Sequence, residues 1–425
     1  MDLMEAIESY ESSVRSYVRN FPAVFDQADG SYLYDVDGRP YLDFFAGASV
    51  LNYGHNHPEL QKELVDYLTG KRVVHSLDLA SRARAEFLIA FNDIILGPRG
   101  LRYQVQFPGP TGTNAVESAL KITRKVKGRE RIVSFTNAFH GMTLGALTVT
   151  GNAFKRAGAG MPLTYAYAMP FEGFFGPDVN TLDYLEKFLA EGSSGVDQPA
   201  GVIVETIQAE GGVNVASMEW LQGLEKICRQ FDLLLIVDDI QAGCGRTGRF
   251  FSFEEAGIEP DIVCVSKSIS GYGLPLALTL VKEEYDIWEP GEHNGTFRGF
   301  NPAMVTAKRA FEVFWSDDAF SETVKARGQL MREGLERLTR EYPEARGCVR
   351  GRGMMQAIEF ADRELARSVC RRCFAKGLII ETAGAEDEVL KLLPPLTTDE
   401  ADLKKGMSII EEALTEALRE TGAAS

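Results

Sequence analysis

Residues 233–241 read LLLIVDDIQ, and residues 261–267 read DIVCVSK. In each stretch, a short apolar run ends on residues that carry charged or hydrogen-bonding groups. Apolar runs without polar alternation are typical of strands buried on both faces of a parallel sheet. Because α/β sheets bind ligands beyond the carboxyl ends of their strands, the two stretches predict strands whose polar ends face a ligand.

The same pattern continues on both sides of these stretches. Further short apolar strands are predicted at 103–107, 131–135, 201–205 and 276–281. Helical periodicity lies between several of them, at 113–127, 180–191 and 217–231. Strands that alternate with helices predict an α/β fold with a mostly parallel sheet and helices on both faces.

The two ends of the chain differ from this middle part. Residues 21–45 contain two Asp-Gly turns between short apolar segments, which predicts a small antiparallel meander. After about residue 303, long amphipathic helices flank a few short strands, as in a small α+β domain. We therefore expect a large domain at 59–316, a small C-terminal domain at 317–425, and an N-terminal segment, 1–58, that packs with the small domain.

The composition excludes several classes of protein. The 425 residues carry a formal net charge of −16, whereas nucleic acids and anionic membranes attract basic faces. No apolar run is long enough to span a membrane, and the acidic N-terminus does not resemble a secretory signal. The six cysteines are scattered, and the five histidines lack metal-ligand spacing. We expect a cytoplasmic protein with reduced thiols, no metal, and small-molecule partners.

Two residues at the predicted strand ends can carry chemistry. Lys267 follows one strand beside a loop of small residues, where burial lowers the pKa of a lysine and makes it a nucleophile. Asp238 ends another apolar strand, where a partly desolvated carboxylate needs a cationic partner, such as a protonated pyridine nitrogen. Taken singly, a solvated lysine and a turn aspartate explain these residues as well.

Two further features follow the first and second predicted strands. Gly112 and Thr113 open a helix, and a helix N-terminus offers free N–H groups to a phosphate, although Thr113 is also an ordinary helix cap. Phe139 can stack on a flat ring, although a lone phenylalanine is more often a core residue. A lysine nucleophile, a carboxylate, a phosphate site and a stacking ring at one sheet edge together indicate a pyridoxal phosphate site.

One competing motif lies a few residues after the strand that ends at Asp238. Residues 243–248 read GCGRTG and match the GxGxxG pattern of dinucleotide-binding proteins. That pattern requires the first glycine in the turn directly after the strand and a helix behind it. Here DDIQ intervenes and RFFSF follows, so a dinucleotide site is not favoured.

Several separated motifs together resemble the class III aminotransferases, which are fold type I pyridoxal phosphate enzymes. The resemblance covers nearly the whole chain. Its motifs are DVDGRPYLDFFAGASVLNYGHNHP (35–58), TGTNAVESALKITR (111–124), FHGMTLGALTVTG (139–151), VETIQAEGGV (204–213), LIVDDIQAGCGRTG (235–248), DIVCVSKSISGYGLPL (261–276) and GRGMM (351–355). It implies a seven-stranded type of large-domain sheet and a homodimer that shares its active sites.

The resemblance also implies roles for single residues. Lys267 would bind the cofactor covalently and move a proton, and Asp238 would pair with the pyridinium nitrogen. Gln241 would contact the phenolic oxygen of the ring, Phe139 would stack on the ring, and His140 and Glu205 would also contact the cofactor. Phosphate would bind to Gly112 and Thr113, and to Thr296 of the neighbouring subunit. Glu210, Lys391 and Tyr53 are expected at the substrate.

Three positions depart from the usual family pattern. Met142 stands where ornithine and 4-aminobutyrate transaminases have an arginine for a distal carboxylate. Lys391 replaces the later carboxylate-binding arginine, and it gives a point charge instead of a two-pronged contact. Asp239 stands where the family usually has a glutamate. Glu210 matches a glutamate that masks the later arginine in ω-amino transaminases.

The departures resemble one subgroup, the diaminobutyrate–2-oxoglutarate transaminases, notably those of the ectoine pathway. The subgroup implies exchange of the terminal amine of L-2,4-diaminobutyrate with 2-oxoglutarate, with aspartate 4-semialdehyde as the carbonyl product, by ping-pong kinetics. Another ω-amino-acid transaminase, of the ornithine, acetylornithine, lysine or 4-aminobutyrate type, remains an alternative, because pocket shape sets specificity. A pyridoxal phosphate-binding protein without turnover is a further alternative.

Overall fold

The computed structural model describes residues 1–420. Its helices are α1 Leu3–Tyr10, α2 Tyr17–Asn20, α3 Ala46–Ser49, α4 Pro58–Thr69, α5 Arg82–Ala90, α6 Gly112–Lys127, α7 Leu144–Thr148, α8 Ala153–Ala157, α9 Thr181–Ala190, α10 Met218–Gln230, α11 Asn301–Phe314, α12 Ala319–Glu341, α13 Arg363–Ala375 and α14 Glu400–Glu420. Its strands are β1 Phe25–Asp29, β2 Tyr32–Asp35, β3 Pro40–Asp43, β4 Gln104–Gln106, β5 Ile132–Phe135, β6 Ala166–Met169, β7 Gly201–Val204, β8 Ile207–Gln208, β9 Asn214–Val215, β10 Leu234–Asp238, β11 Ile262–Val265, β12 Leu278–Val281, β13 Gly347–Arg352, β14 Met355–Phe360, β15 Leu378–Ile379, β16 Glu381–Ala383 and β17 Val389–Leu392.

The central sheet has seven strands in the order β4-β12-β11-β10-β7-β5-β6. Strands β11, β10, β7, β5 and β6 pair in parallel, whereas β12 is antiparallel to both of its neighbours. The predicted α/β fold with a mostly parallel sheet is therefore confirmed. Strand β6 was not predicted. It lies at the edge of the sheet and its residues are only partly buried, so its sequence AYAM lacks a strong apolar signal.

The sheet is covered on both faces, which explains why its inner strands are apolar throughout. Along β10, Leu235 and Val237 belong to one core cluster, whereas Leu234 and Ile236 belong to another on the opposite face. Helix α10 contributes to the first cluster and α6 to the second. Because β7, β10 and β11 run in parallel, their carboxyl ends meet at one edge of the sheet.

The two ends of the chain meet in one smaller unit. Strands β1, β2 and β3 form a sheet whose fourth strand is β15, with Leu42 opposite Leu378. Strands β13, β14, β17 and β16 form a separate antiparallel sheet. Tyr41 and Leu42 share a core cluster with apolar residues of α12, α13 and α14. The domain limits at 58 and 316 stay a prediction.

A buried arginine joins this smaller unit to the central sheet. The guanidinium of Arg246 donates to Ser49 Oγ at 3.0 Å, to Asn52 Oδ1 at 2.6 Å, and to the carbonyl oxygens of Met354 and Pro394. Burial lowers its pKa to about 9. The charge is therefore held by neutral oxygens from three separate parts of the chain.

Across residues 1–420, no helix has both the length and the apolar character that a membrane-spanning helix needs.

Candidate active site

A cavity lies at the sheet edge where the parallel strands end. Its wall is formed by the start of helix α6, the loop after β5, residues of the segment 205–210 that contains β8, the end of β10 with the residues that follow it, and Lys267 after β11. The wall consists of Gly112, Thr113, Phe139, His140, Gly141, Glu205, Ile207, Glu210, Asp238, Ile240, Gln241, Ala242 and Lys267. Nine of the twelve residues expected from the sequence to form the site are among them: Gly112, Thr113, Phe139, His140, Glu205, Glu210, Asp238, Gln241 and Lys267.

Asp238, the last residue of β10, is held from two sides. Its Oδ2 lies 2.7 Å from His140 Nδ1, and its Oδ1 accepts a hydrogen bond from the backbone N–H of Ile240 at 3.2 Å. Both side chains are buried. His140 Nε2 is also buried and has no hydrogen-bond partner among the described residues. The pair therefore presents a fixed carboxylate at the cavity wall.

Lys267 begins a tight 3₁₀ turn, Lys267–Ser270, directly after β11. Its φ is +55°, a left-handed conformation that is uncommon for a residue with a side chain and often marks a functional site. The hydroxyl of Ser268 anchors the turn by donating to the carbonyl of Ser49 at 2.8 Å. Burial lowers the pKa of Lys267 to about 8, and the carboxylate of Glu210 opposes that shift. The amine is therefore partly neutral near physiological pH.

Phe139 and Glu205 occupy the wall near Asp238. Glu205 Oε2 accepts a hydrogen bond from the backbone N–H of Phe139 at 2.9 Å, which fixes the backbone beside the aromatic ring. Burial and the nearby carboxylate of Asp238 raise the pKa of Glu205 well above its usual range. The ammonium of Lys155 lies 4.1 Å from the centre of the Phe139 ring, within the range of a cation–π contact.

The start of α6 forms the end of the cavity that is suited to a phosphate. Gly112 and Thr113 stand in its first turn, where backbone N–H groups are not used inside the helix. The hydroxyls of Thr113 and Thr143 are 2.7 Å apart. Gly141 has a φ of +126°, and a Cβ there would lie 2.4 Å from Thr113 Oγ1. Glycine is therefore required at 141 for the backbone to approach Thr113.

Gln241 contributes an unsatisfied acceptor to the cavity wall. Its Nε2 donates to the carbonyl of Ala48 at 3.0 Å, which fixes the orientation of the amide. Its Oε1 is buried and has no hydrogen-bond partner among residues 1–420. A buried acceptor of this kind is stabilised by a polar ligand that donates to it.

Lys391 lies behind the cavity wall instead of on it. Its side chain is fully buried, and its ammonium is 2.8 Å from Glu210 Oε1 and 3.1 Å from Glu381 Oε1. Only Glu210 of these three residues lines the cavity. The carboxylates raise the pKa of Lys391 although burial alone would lower it. Lys391 is therefore a permanent cation. It is linked to the cavity wall by its ion pair with Glu210.

Two further expected residues are not on the cavity wall. Thr296 is exposed in a 3₁₀ turn, and its carbonyl oxygen lies 2.8 Å from His75 Nε2. Tyr53 is buried in a different cluster, where its ring stacks on Phe314 and its hydroxyl accepts a hydrogen bond from Trp315 at 2.9 Å. Tyr53 is thus packed away from the cavity wall, and its contact with substrate stays a prediction.

Sequence reasoning missed Glu381 and Lys155. Glu381 directly follows the apolar run Leu378–Ile380, which is the same signal that singled out Asp238. Lys155 stands in the short helix α8, and no spacing in the sequence links it to Phe139. Among residues 1–420, no group of three or more histidine, cysteine, aspartate or glutamate side chains is arranged to hold a metal ion.

Comparison with known proteins agrees with this geometry. The class-III aminotransferase family model matches residues 13–414. The chain is 55% identical to the diaminobutyrate–2-oxoglutarate transaminase of Sporosarcina pasteurii over 98% of both chains, and 57% identical to that of Streptomyces avermitilis over 97% of this chain and 98% of the relative. The ornithine aminotransferase of Toxoplasma gondii ME49 has the same fold, with a TM-score of 0.85 at 24% identity over 99% of this chain and 97% of its own. The chain belongs to the class-III aminotransferases, and it is a pyridoxal phosphate-dependent transaminase.

The residues of the cavity fit pyridoxal phosphate. Asp238 would supply the carboxylate for a ring nitrogen, Lys267 would supply an amine with a lowered pKa, and the α6 N-terminus would supply donors for the phosphate. The unpartnered oxygen of Gln241 is the acceptor that a polar ring substituent would meet. When bound, the cofactor supplies a ring that accepts the electron pair left when a C–H bond next to nitrogen is broken.

Proposed function

We propose that the enzyme transfers the terminal amino group of L-2,4-diaminobutyrate to 2-oxoglutarate, with aspartate 4-semialdehyde and glutamate as products. The observation that carries the proposal is the identity of about 55% to diaminobutyrate–2-oxoglutarate transaminases over nearly the full length of both chains. Two departures from the family pattern support it, because Met142 stands where an arginine would favour a distal carboxylate and Lys391 is paired with two carboxylates.

Lys267, Asp238 and Phe139 have different roles in the proposed reaction. Lys267 is the base, because its lowered pKa leaves part of it neutral and able to take a proton from the carbon that carries the reacting amine. Asp238, held by His140, would place its carboxylate next to the ring nitrogen and so favour the protonated ring. Phe139 limits the movement of a flat ring on one face. The donor leaves as the aldehyde while its amino group stays on the holoenzyme, and the keto acid then binds and takes up that amino group, so the kinetics are ping-pong.

We also propose that the working enzyme is a homodimer in which Thr296 serves the partner's cofactor phosphate. Thr296 lies outside the cavity of its own chain and is exposed. The neighbouring side chains Phe297 and Leu77 are apolar and 60% and 42% exposed, as expected for a surface that a second copy covers. A cytoplasmic location is proposed because all six cysteines are unpaired, which is typical of a reducing compartment.

A donor panel tests the proposed reaction. The purified holoenzyme is given 2-oxoglutarate with diaminobutyrate, ornithine, lysine or 4-aminobutyrate, and both glutamate and the aldehyde are identified by mass spectrometry. We expect the highest kcat/KM with diaminobutyrate and aspartate 4-semialdehyde as its product. Lys267→Ala is the inactive control. A higher kcat/KM with any other donor in the panel would contradict the proposal.

A further inference from the structure

The cluster behind the cavity contains one cation and two carboxylates. Strands β16 and β17 are antiparallel, and their register places Glu381 directly opposite Lys391. Glu210 reaches the same ammonium from the segment after β8. One lysine ammonium is therefore paired with two carboxylates in a region that is largely shielded from water.

Glu381 is buried, and contacts with Lys391 and Tyr17 hold its carboxylate. Its side chain is 5% exposed, and its Oε2 accepts a hydrogen bond from the hydroxyl of Tyr17 at 3.3 Å. Its Oε1 lies 3.1 Å from Lys391 Nζ, yet no described residue directs a hydrogen bond to it. Burial raises the pKa of Glu381 to about 7, and Lys391 opposes that shift. Glu381 therefore changes its charge near physiological pH.

Glu210 is the member of the cluster that a substrate can touch. It lines the cavity, whereas Lys391 and Glu381 do not. The hydrogen bond from Lys391 goes to Oε1, and no described side chain donates to Oε2. Lys391, Lys267 and Lys155 lower the pKa of Glu210 to about 2 despite its burial, so it is an anion at every physiological pH.

Sharing Lys391 leaves negative charge on the cavity side. An arginine could form a bidentate ion pair with one carboxylate and neutralise it. A lysine is a point charge, and here two carboxylates share it. When Glu381 is ionised, the cluster as a whole carries an excess negative charge. Glu210 then remains an attractive partner for a positive group in the cavity.

We propose that Glu210 binds the second ammonium of a diamino acid donor. In this proposal Glu381 is a positioning residue: its carboxylate also pairs with Lys391, so Lys391 neutralises Glu210 less completely. The inference rests on the proposed function, since it explains a preference for diaminobutyrate. 4-Aminobutyrate has the same reacting amine but lacks the second ammonium. Glu210 thereby recognises the group by which these two donors differ.

The proposal predicts a pH dependence of binding. The ionisable groups around Glu381 are Lys391, Glu210, Tyr17, Lys267 and Cys370. As the pH rises through about 7, Glu381 loses its proton and the cluster becomes more negative. The preference for a ligand with a second ammonium should therefore increase between pH 6 and pH 8.

The test uses Glu381→Gln, which keeps the size of the side chain and an oxygen for Lys391 but removes the charge. Inhibition constants of the holoenzyme are measured for L-homoserine and 4-hydroxybutyrate, in which a hydroxyl replaces the reacting amine. The two probes share that hydroxyl and the carboxylate, and they differ in the second ammonium. Glu359→Gln is the matched control, because Glu359 lies on β14 of the same sheet and pairs with Arg350 outside the cavity.

We expect the wild-type enzyme and the control to bind homoserine more tightly than 4-hydroxybutyrate, with a ratio that rises from pH 6 to pH 8. In Glu381→Gln the ratio should fall by about tenfold at pH 8 and lose its pH dependence. A wild-type ratio and pH profile in Glu381→Gln would overturn the inference. Failure of the wild-type enzyme to convert diaminobutyrate would overturn the proposed donor, whereas a loss of homoserine preference in Glu381→Gln would still support the role of Glu210 and Glu381.

Discussion

Asp238 Oδ2 and His140 Nδ1 are 2.7 Å apart inside the protein, and the other nitrogen of the same imidazole has no partner among the described residues. Asp238 comes from the end of β10, and His140 comes from the loop that follows β5. Two segments that are distant in sequence thus fix one carboxylate. The imidazole sets the direction in which that carboxylate faces the cavity.

Replacement of His140 should therefore weaken cofactor binding. In His140→Phe the ring volume is kept but the hydrogen bond to Asp238 is lost. Charge-assisted hydrogen bonds contribute about 1.5–3 kcal/mol, so the dissociation constant of pyridoxal phosphate should rise by roughly 10- to 100-fold. Fluorescence titration of the apoenzyme measures it. His293→Phe, outside the cavity, should bind the cofactor like wild type, and equal affinity in both variants would argue against this role.

The lowered pKa of Lys267 should be visible in cofactor attachment. The neutral amine is the nucleophile, and the ammonium form predominates below a pKa of about 8. The attachment rate to the apoenzyme should thus rise by about tenfold per pH unit below pH 8 and level off above it. Stopped-flow absorbance between pH 6 and pH 10 records the profile. A rate that keeps rising to pH 10 would show an ordinary lysine, and Lys267→Ala should give no covalent signal.

Gly141 should not tolerate a side chain. A Cβ at this position would lie 2.4 Å from Thr113 Oγ1 and 2.8 Å from Thr113 Cβ. Gly141→Ala should therefore displace Thr113, lower the melting temperature and weaken phosphate binding. Gly176→Ala is the control, since Gly176 also has a positive φ, +95°, but has no atom within 4 Å of a Cβ. Similar losses in both variants would point to backbone strain alone.

Arg246 should be a major source of stability. Arg246→Met removes a buried charge but leaves the carbonyl oxygens of Met354 and Pro394 without their donor and removes one of the two donors to Asn52 Oδ1. Buried polar groups that lose their partners cost about 1–3 kcal/mol each, so we expect a loss of about 3 kcal/mol or more in the free energy of unfolding. Urea denaturation measures this loss. Arg249→Met, whose ion pair with exposed Asp318 is on the surface, should change stability by less than about 1 kcal/mol.

Much of the fold was predictable because local patterns determine it. The helices at 113–127, 180–191 and 217–231 lie within about two residues of α6, α9 and α10. The buried strands were predictable because both of their faces are covered by helices. The edge strand β6 was not, because partial burial places no strong demand on its sequence.

The cavity was predictable for a topological reason, and its internal contacts were not. Parallel strands bring their carboxyl ends to one edge, so Asp238 and Lys267 could be placed together before their distance was known. The contact of Lys391 with Glu381 depends on the register of β16 and β17, which sequence periodicity does not reveal. The packing of Tyr53 in a separate cluster could not be foreseen either, because its motif gives a position along the chain and not the direction of its ring.

The pairing of β3 with β15 has a consequence for how the protein is made. Leu42 leaves the ribosome early, whereas its partner Leu378 is among the last residues to be synthesised. The nascent N-terminal strands must therefore wait, with one sheet edge unpaired, while the central sheet folds. Such an edge is a site for intermolecular association, so the rate of translation and the presence of chaperones should affect the yield of active enzyme.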